Sequence, residues 1–316
     1  MTLQDAINHY IAWRQAHGAK YKSSSTILHL FLKSVDGETN CNAVTTAQVL
    51  RFLAGKGPLT RHRENKHGAL AGFYRYAISR GYVTRSPLPD NEPKPPASAP
   101  PHIYSRNELR RLFDIDAMLV SRRRAVQLDA ATFRTLLVLL YGSGLRVGEA
   151  IRLTLADVDL PGAVLTISGT KFYKSRLVPT GPDLTHVLKT YMPLRTIRPL
   201  PQGQGSFFLA NRDGTPLASS TIQAAFDNLR RIAGIHGAKG ARQSPRLHDL
   251  RHSFAVHRLT DWYREGADVQ RLLPVLSTYL GHTDLAGTQV YLSMTPELLQ
   301  QASSRFERYA SGGSDA

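Results

Sequence analysis

The sequence predicts a mainly α-helical protein with one small antiparallel β-sheet, an α+β fold divided into two domains. Three observations predict it. Apolar residues recur at helical spacing through most of the chain. Strand-like alternation is confined to 163-AVLTIS-168 and 176-RLVPT-180. Between the two halves, 86-SPLPDNEPKPPASAPP-101 carries seven prolines in sixteen residues, through which no helix can continue.

In the first domain, residues 1–85, Leu3, Ile7, Tyr10 and Ile11 share one helical face. The serine-rich start 23-SSST-26 precedes a second helix with Ile27, Leu30, Phe31 and Lys33. The threonines of 45-TTAQVLRFL-53 suit the N-terminus of a third. A fourth is expected over about 60–79, with Leu70, Phe73, Tyr74 and Ala77 inward and Arg61, Arg63, Lys66 and Arg75 outward. Residues 86–103 then form an extended, semi-rigid, proline-rich linker.

The second domain is expected over 104–310. Its first helix opens on 105-SRNELRRLF-113, with Ser105 as cap and Glu108 three residues on. A strongly apolar helix, 133-FRTLLVLLYGSG-144, ends in glycines. The two alternating segments meet around 169-GTKFYK-174, a hairpin with a lysine-bearing turn, and Phe207–Leu209 is expected to add a short third strand. From about 219 onward the pattern is helical. In 295-TPELLQQASSRFERYA-310, Thr295 suits the cap and Pro296 the first turn, and Leu298, Leu299, Ala302, Phe306 and Tyr309 form one apolar stripe. Residues 311–316, SGGSDA, read as a flexible tail.

Charge narrows the function. A net charge of +16 and a pI near 10.2 point to a polyanionic partner, nucleic acid first and an anionic membrane surface second. Residues 1–100 alone hold 13 Lys+Arg against 6 Asp+Glu, a net of +7, so four helices with basic outer faces would suit a clamp on a duplex backbone. A hydrophobic fraction of 42% is enough for real cores and excludes wholesale disorder. No apolar run approaches the roughly 20 residues that span a bilayer, and the N-terminus has no signal-peptide pattern. Cys41 is the only cysteine, which excludes intramolecular disulfides and cysteine-based zinc clusters. A soluble, cytoplasmic protein that meets DNA or RNA is expected.

Four clusters could carry chemistry, the first three with a plainer explanation beside them. In 144-GLRVGEA-150, Arg146 and Glu149 lie three apart, a spacing that usually means a surface ion pair. The lysines of 169-GTKFYKSR-176 could simply be a solvated hairpin tip. In 246-RLHDLRHSF-254, His248 and Arg251 fall on one helical face and both can reach a single anion. His248 and His252 also have the spacing of a zinc pair, but zincin chemistry puts a glutamate directly after the first histidine, and here it is Asp249; the plainer alternative is a core role without chemistry. The fourth cluster is 279-YLGHTDLAGTQVYLS-293, with His282 and Tyr291 nine residues apart. Two arginines can bind phosphate oxygens bidentately, and a lysine and a histidine can move protons. Paired carboxylates that would hold two magnesium ions are missing from the pattern. The set suits a phosphodiester whose transition-state charge is held by side chains, with no metal and no cofactor expected. Tyrosine fits as nucleophile because its phosphoester stores the backbone energy, although a free pKa near 10 means that it needs help.

In this order, GLRVGEA, the lysine turn, HDLRH, LGHTDLAGT and Tyr291 resemble the tyrosine recombinase (phage integrase) family over roughly residues 104–310. The helical N-terminal part resembles that family's core-binding (SAM-like) DNA-binding domain, and the overall size resembles Xer-type and transposon-encoded members. The resemblance implies a two-domain DNA clamp that breaks and rejoins DNA. Arg146 and Arg251 would grip the scissile phosphate, and Tyr291 would attack it, leaving a 3′-phosphotyrosyl enzyme and a free 5′-hydroxyl. Lys171 would protonate that leaving oxygen, His248 would take the tyrosine proton, His282 would hydrogen-bond a non-bridging oxygen and Glu149 would orient Arg146.

The sequence departs from the family pattern in two places. The turn offers Lys174 as well as Lys171, and 260-TDWYREGADVQRLLPVLSTYL-280 reads as an enlarged helical connection. The implied partners are double-stranded DNA with paired half-sites and further protomers, four in the synapse, alone or with other recombinases. The last helix would then dock into a neighbouring subunit, the plainer alternative being its own domain. Type IB topoisomerases share this chemistry, and a plasmid relaxation assay without specific sites separates them. A catalytically silent DNA-binding protein that only organises a synapse is separated by covalent trapping. Integration, excision, dimer resolution and transposition would all use these residues.

Overall fold

The computed structural model describes residues 1–54, 59–90, 100–114, 128–169, 175–237, 244–293, 300 and 303. Helices dominate it, with one three-stranded sheet. The chain divides into two compact units, Met1–Ser98 and Ala99–Ala316.

The first unit holds α1 (Leu3–Ala16), α2 (Lys22–Val35), α3 (Thr46–Leu53) and α4 (Arg61–Ser79). Thr2 caps α1 by accepting the Asp5 N–H, and Thr45 and Gln48 close a reciprocal capping box on α3. α4 buries Ala69, Leu70, Phe73, Tyr74 and Ala77, none of them in its first two turns. Its basic N-terminal turns contribute no buried residue. Truncating Phe73, which is fully buried, would cost about 3–5 kcal/mol. Two side chains depart from the simple helical-face reading. Leu30 is 47% exposed, and Lys66 folds back so that Nζ donates to the Phe52 carbonyl (2.8 Å) over the Phe52 ring.

In the second unit, α5 (Arg106–Phe113) starts at a Ser105–Glu108 capping box. α6 (Ala130–Ser143) is buried on most of its circumference and packs on both α8 (Pro182–Thr196) and α10 (Asp249–Arg264), which makes it the central helix. Gly144, in the left-handed region at φ 62°, ends α6 and turns the chain into the short α7 (Val147–Ala150). The sheet follows as β1 (Val158–Asp159), β2 (Val164–Ile167) and β3 (Arg176–Pro179), antiparallel in that order. Leu165 lies opposite Val178, and both face the core.

The third strand is therefore Val158–Asp159 and not Phe207–Leu209. Phe207 makes only an isolated bridge to Thr154, because the Phe207 and Phe208 carbonyls accept from the fully buried Arg195 guanidinium instead of a neighbouring strand. After α9 (Ser219–Ile232) and α10, residues 260–280 are helical but divided. The chain turns at Gly266 and restarts at Asp268, which caps α11 (Val269–Leu280). Then come α12 (Ala286–Gln289) and a 3-10 turn, Val290–Ser293. The last helix and tail expected from the sequence lie outside the described residues, apart from residues 300 and 303. Among the described residues no helix is long and apolar enough to cross a membrane.

Candidate active site

Two helix C-termini build the floor of the site. α6 ends at Gly144 and α11 at Gly281, each glycine in the left-handed conformation that closes a helix. Their terminal carbonyls have no partner within the helix and carry the negative end of its dipole, so they attract cations. Arg251, on the first turn of α10, donates Nη1 to the Gly144 carbonyl (2.7 Å) and Nη2 to the Leu280 carbonyl (2.8 Å). Arg146 donates Nη2 to the Gly281 carbonyl (3.2 Å). A side chain on either glycine would collide: a Cβ at Gly144 would lie 2.6 Å from the Phe254 ring, and one at Gly281 2.7 Å from Arg176 Nη1.

Arg251 is 2% exposed. Burial, with repulsion from Arg146 second, lowers its pKa to about 10, which leaves it charged at neutral pH. Arg146 keeps 41% of its side chain exposed, so its guanidinium has a free side. Glu149 holds it from behind: one carboxylate oxygen accepts Arg146 Nη1 (3.0 Å) and the other accepts the Arg146 backbone N–H (3.1 Å). Burial alone would raise the Glu149 pKa, but hydrogen bonds from Arg176 and Arg146 outweigh it and bring it down to about 2.

Tyr291 is 2% exposed, its ring between those of His252 (5.6 Å between centroids) and His282 (6.1 Å, nearly parallel). Burial raises its pKa, while the Arg251 charge, a hydrogen bond with Arg251 and the Arg146 charge pull the other way. His282 Nδ1 lies 2.6 Å from the hydroxyl of the buried Thr288, and burial with the Arg251 and Arg146 charges lowers its pKa to about 4. His248 stands at the start of α10, its side chain open to solvent on one side and its ring edge-on to His252 at 5.0 Å. Partial burial and the Arg251 charge lower its pKa. Asp249 does not turn toward the histidines; its carboxylate is taken by the Arg246 backbone and side chain. Among the described residues no group of three His, Cys, Asp or Glu is placed to hold a metal.

Arg146, Glu149, His248, Arg251, His282 and Tyr291 thus converge from segments far apart in sequence. Lys171 and Lys174 lie outside the described residues. Sequence reasoning did not find Arg176, whose fork grips Glu149, nor Thr288 behind His282, and it weighed His252 only as a metal or core residue. Arg176 opens a strand and carries no local signal; Thr288 stands six residues from its partner, a spacing with no motif attached.

A sequence model of the phage integrase family matches residues 105–297. The chain belongs to the phage integrase family. It is a site-specific DNA recombinase, an enzyme of DNA strand exchange. The y4rB protein of Sinorhizobium fredii, which carries an integrase/recombinase name, is 36% identical over 97% of this chain and 98% of its own. Tyrosine recombinase XerC of Lacticaseibacillus casei is 32% identical over 87% of each chain. Among solved structures, a lambda integrase dimer bound to a core site covers 92% of the recombinase and 77% of its own chain with a TM-score of 0.64 at 16% identity. XerH bound to its difH substrate after cleavage covers 90% and 79% with a TM-score of 0.61 at 19% identity. These last two likenesses concern the fold.

Proposed function

We propose that the recombinase cuts and rejoins duplex DNA through a covalent 3′-phosphotyrosyl intermediate with Tyr291 as nucleophile. The observation that carries this reading is the seat of Tyr291, buried against Arg251 and between two imidazoles, in a site whose remaining charge is mostly arginine. Tyr291 Oη bonds to phosphorus as the bond to the 5′-oxygen breaks. The phenol proton passes to His248, whose lowered pKa keeps it a neutral acceptor at pH 7, and the leaving 5′-oxygen takes a proton from Lys171. Arg146 and Arg251 hold the non-bridging oxygens, where negative charge grows. With Thr288 donating to Nδ1, His282 has Nε2–H to offer a non-bridging oxygen. Both Arg251 and Tyr291 are buried, so a phosphate meets them only after the site opens. The partner strand's 5′-hydroxyl reverses the step without ATP. Guanidinium groups supply the charge that a metal ion would otherwise bring, which supports cleavage independent of metal.

A nicked suicide duplex carrying the cognate site should trap a protein–DNA adduct in EDTA. Tyr291→Phe should abolish the adduct while duplex binding persists; an adduct from that variant means a different nucleophile. Binding should also weaken steeply with salt.

Assembly on paired half-sites, with four protomers in the synapse, is part of the same reading. A cavity of about 660 Å³ between α6, α8, α10 and α11, lined by Phe113, Val138, Phe254, Trp262 and Val275, supports it. Its apolar wall suits the stripe Leu298, Leu299, Ala302, Phe306 and Tyr309 of another copy.

A further inference from the structure

Arg176 makes more hydrogen bonds in the site than any strand-packing role needs. Its Nη2 and Nη1 fork onto the two oxygens of Glu149 (2.8 and 3.2 Å), and its Nε donates to the Tyr279 carbonyl near the end of α11 (2.9 Å). Only 11% of its side chain is exposed, and 4% of that of Glu149. The same two carboxylate oxygens also hold Arg146. Arg176 does not share Arg146's exposed position. It is the inner member of a chain running Arg176, Glu149, Arg146.

Charge counting gives that chain a purpose. A buried carboxylate beside a phosphate-binding arginine would position it but also cancel its charge, and in a site of low dielectric that loss is large. The cluster of Arg146, Arg176, Arg251 and Glu149 holds three guanidiniums and one carboxylate, a net of +2. Asp249 is matched separately by Arg246. A phosphodiester carries one negative charge, and the phosphorane formed when a deprotonated tyrosine attacks it carries two. The net charge of the cluster matches that of the transition state in magnitude, with opposite sign, and exceeds that of the ground state, so its stabilisation grows as the reaction proceeds. Without Arg176 the net would fall to +1.

We propose that Arg176 is a positioning residue for strand cleavage: it neutralises Glu149 from the inner side, so that Glu149 holds Arg146 in place without cancelling the charge presented to the phosphate. This rests on the cleavage reading above. Arg176 opens β3, the strand that leaves the lysine-bearing turn, so the same contact ties that strand to the phosphate-binding arginine.

The test is single-turnover cleavage of a nicked suicide duplex by the full chain, on an ordinary phosphodiester and on a methylphosphonate that lacks one non-bridging charge. Arg176→Gln should slow phosphodiester cleavage roughly 10- to 100-fold, the scale of losing a hydrogen-bond partner of a charged group. On the uncharged methylphosphonate the loss should shrink below about threefold, because less transition-state charge needs an answer. Equal losses on both substrates would mean a merely structural role and overturn the proposal, as would no loss at all. Should Arg176→Gln fail to fold, the comparison moves to Glu149→Gln, where no carboxylate is left to neutralise. There the added Arg176→Gln should cost less than about threefold; a further tenfold loss shows that Arg176 acts independently and overturns the proposal. Failure of the wild-type chain to form any adduct would strike the cleavage reading itself and is thereby distinguished.

Discussion

Arg251 donates to the carbonyl of Gly144 across 107 residues of sequence, at 2.7 Å and fully inside the protein. That bond joins the end of α6 to the start of α10, and its companion on the Leu280 carbonyl adds the end of α11. The arginine that grips phosphate in the proposed reaction is therefore also a tie between three helices.

Removing it should cost both activity and stability. Arg251→Met leaves two buried carbonyls without their donor, each worth about 1–3 kcal/mol. The thermal midpoint should drop, and cleavage should fall at least about 100-fold. Gly144→Ala tests the tie from the other end. Its backbone at φ 62° and the Phe254 ring 2.6 Å from a Cβ oppose the methyl, so the thermal midpoint should fall without any change to a catalytic side chain. An alanine variant as stable as the wild type would show that the turn adapts freely.

Acid should weaken the fold through its half-buried histidines. Burial pushes His252, His257 and His282 down to about 4 from the ordinary 6.5. Between those values the unfolded chain binds protons that the folded protein refuses, so the histidine contribution to stability should be lost as pH drops from about 6.5 toward 4, and the lowered Glu149 carboxylate continues the loss below. His257, whose Nδ1 meets the Tyr141 hydroxyl at 2.9 Å, lies in the cavity wall away from Tyr291, so His257→Gln should flatten that slope. Urea midpoints measured across the window decide it; an unchanged slope removes His257 from the account.

The hairpin turn offers two lysines, and the expectation favours Lys171 because it follows the strand 163-AVLTIS-168 closely. A general acid matters most when the leaving group is poor. A substrate with sulfur in the 5′-bridging position leaves without protonation, so it should restore cleavage to Lys171→Ala. Rescue of Lys174→Ala in its place would reverse the assignment.

Truncation after Thr295 tests the assembly reading. Single half-site binding should stay nearly intact, while cooperativity on paired sites and strand exchange collapse. Unfolding of the truncated chain would instead place the last helix on its own domain and end the idea of docking in trans.

The parts of this protein that were legible in its sequence are those set by near neighbours along the chain. Ser105 and Glu108 announce a helix start, Gly144 announces a stop, and alternation marks the paired strands, because caps, left-handed turns and pleats depend on residues within a few positions. Arg146, His248, Arg251, His282 and Tyr291 were legible for a different reason: they stand in short motifs whose order along the chain resembles the phage integrase family. Tertiary structure alone decided what these residues touch. Nothing near Arg176 in sequence says that its fork will close on Glu149, 27 residues earlier, and nothing near Phe207 says that a buried Arg195 will take its carbonyl and prevent a strand. Such partnerships follow from where α6, α10 and α11 end relative to one another, and that is settled by how their apolar faces pack, not by the residues beside the site.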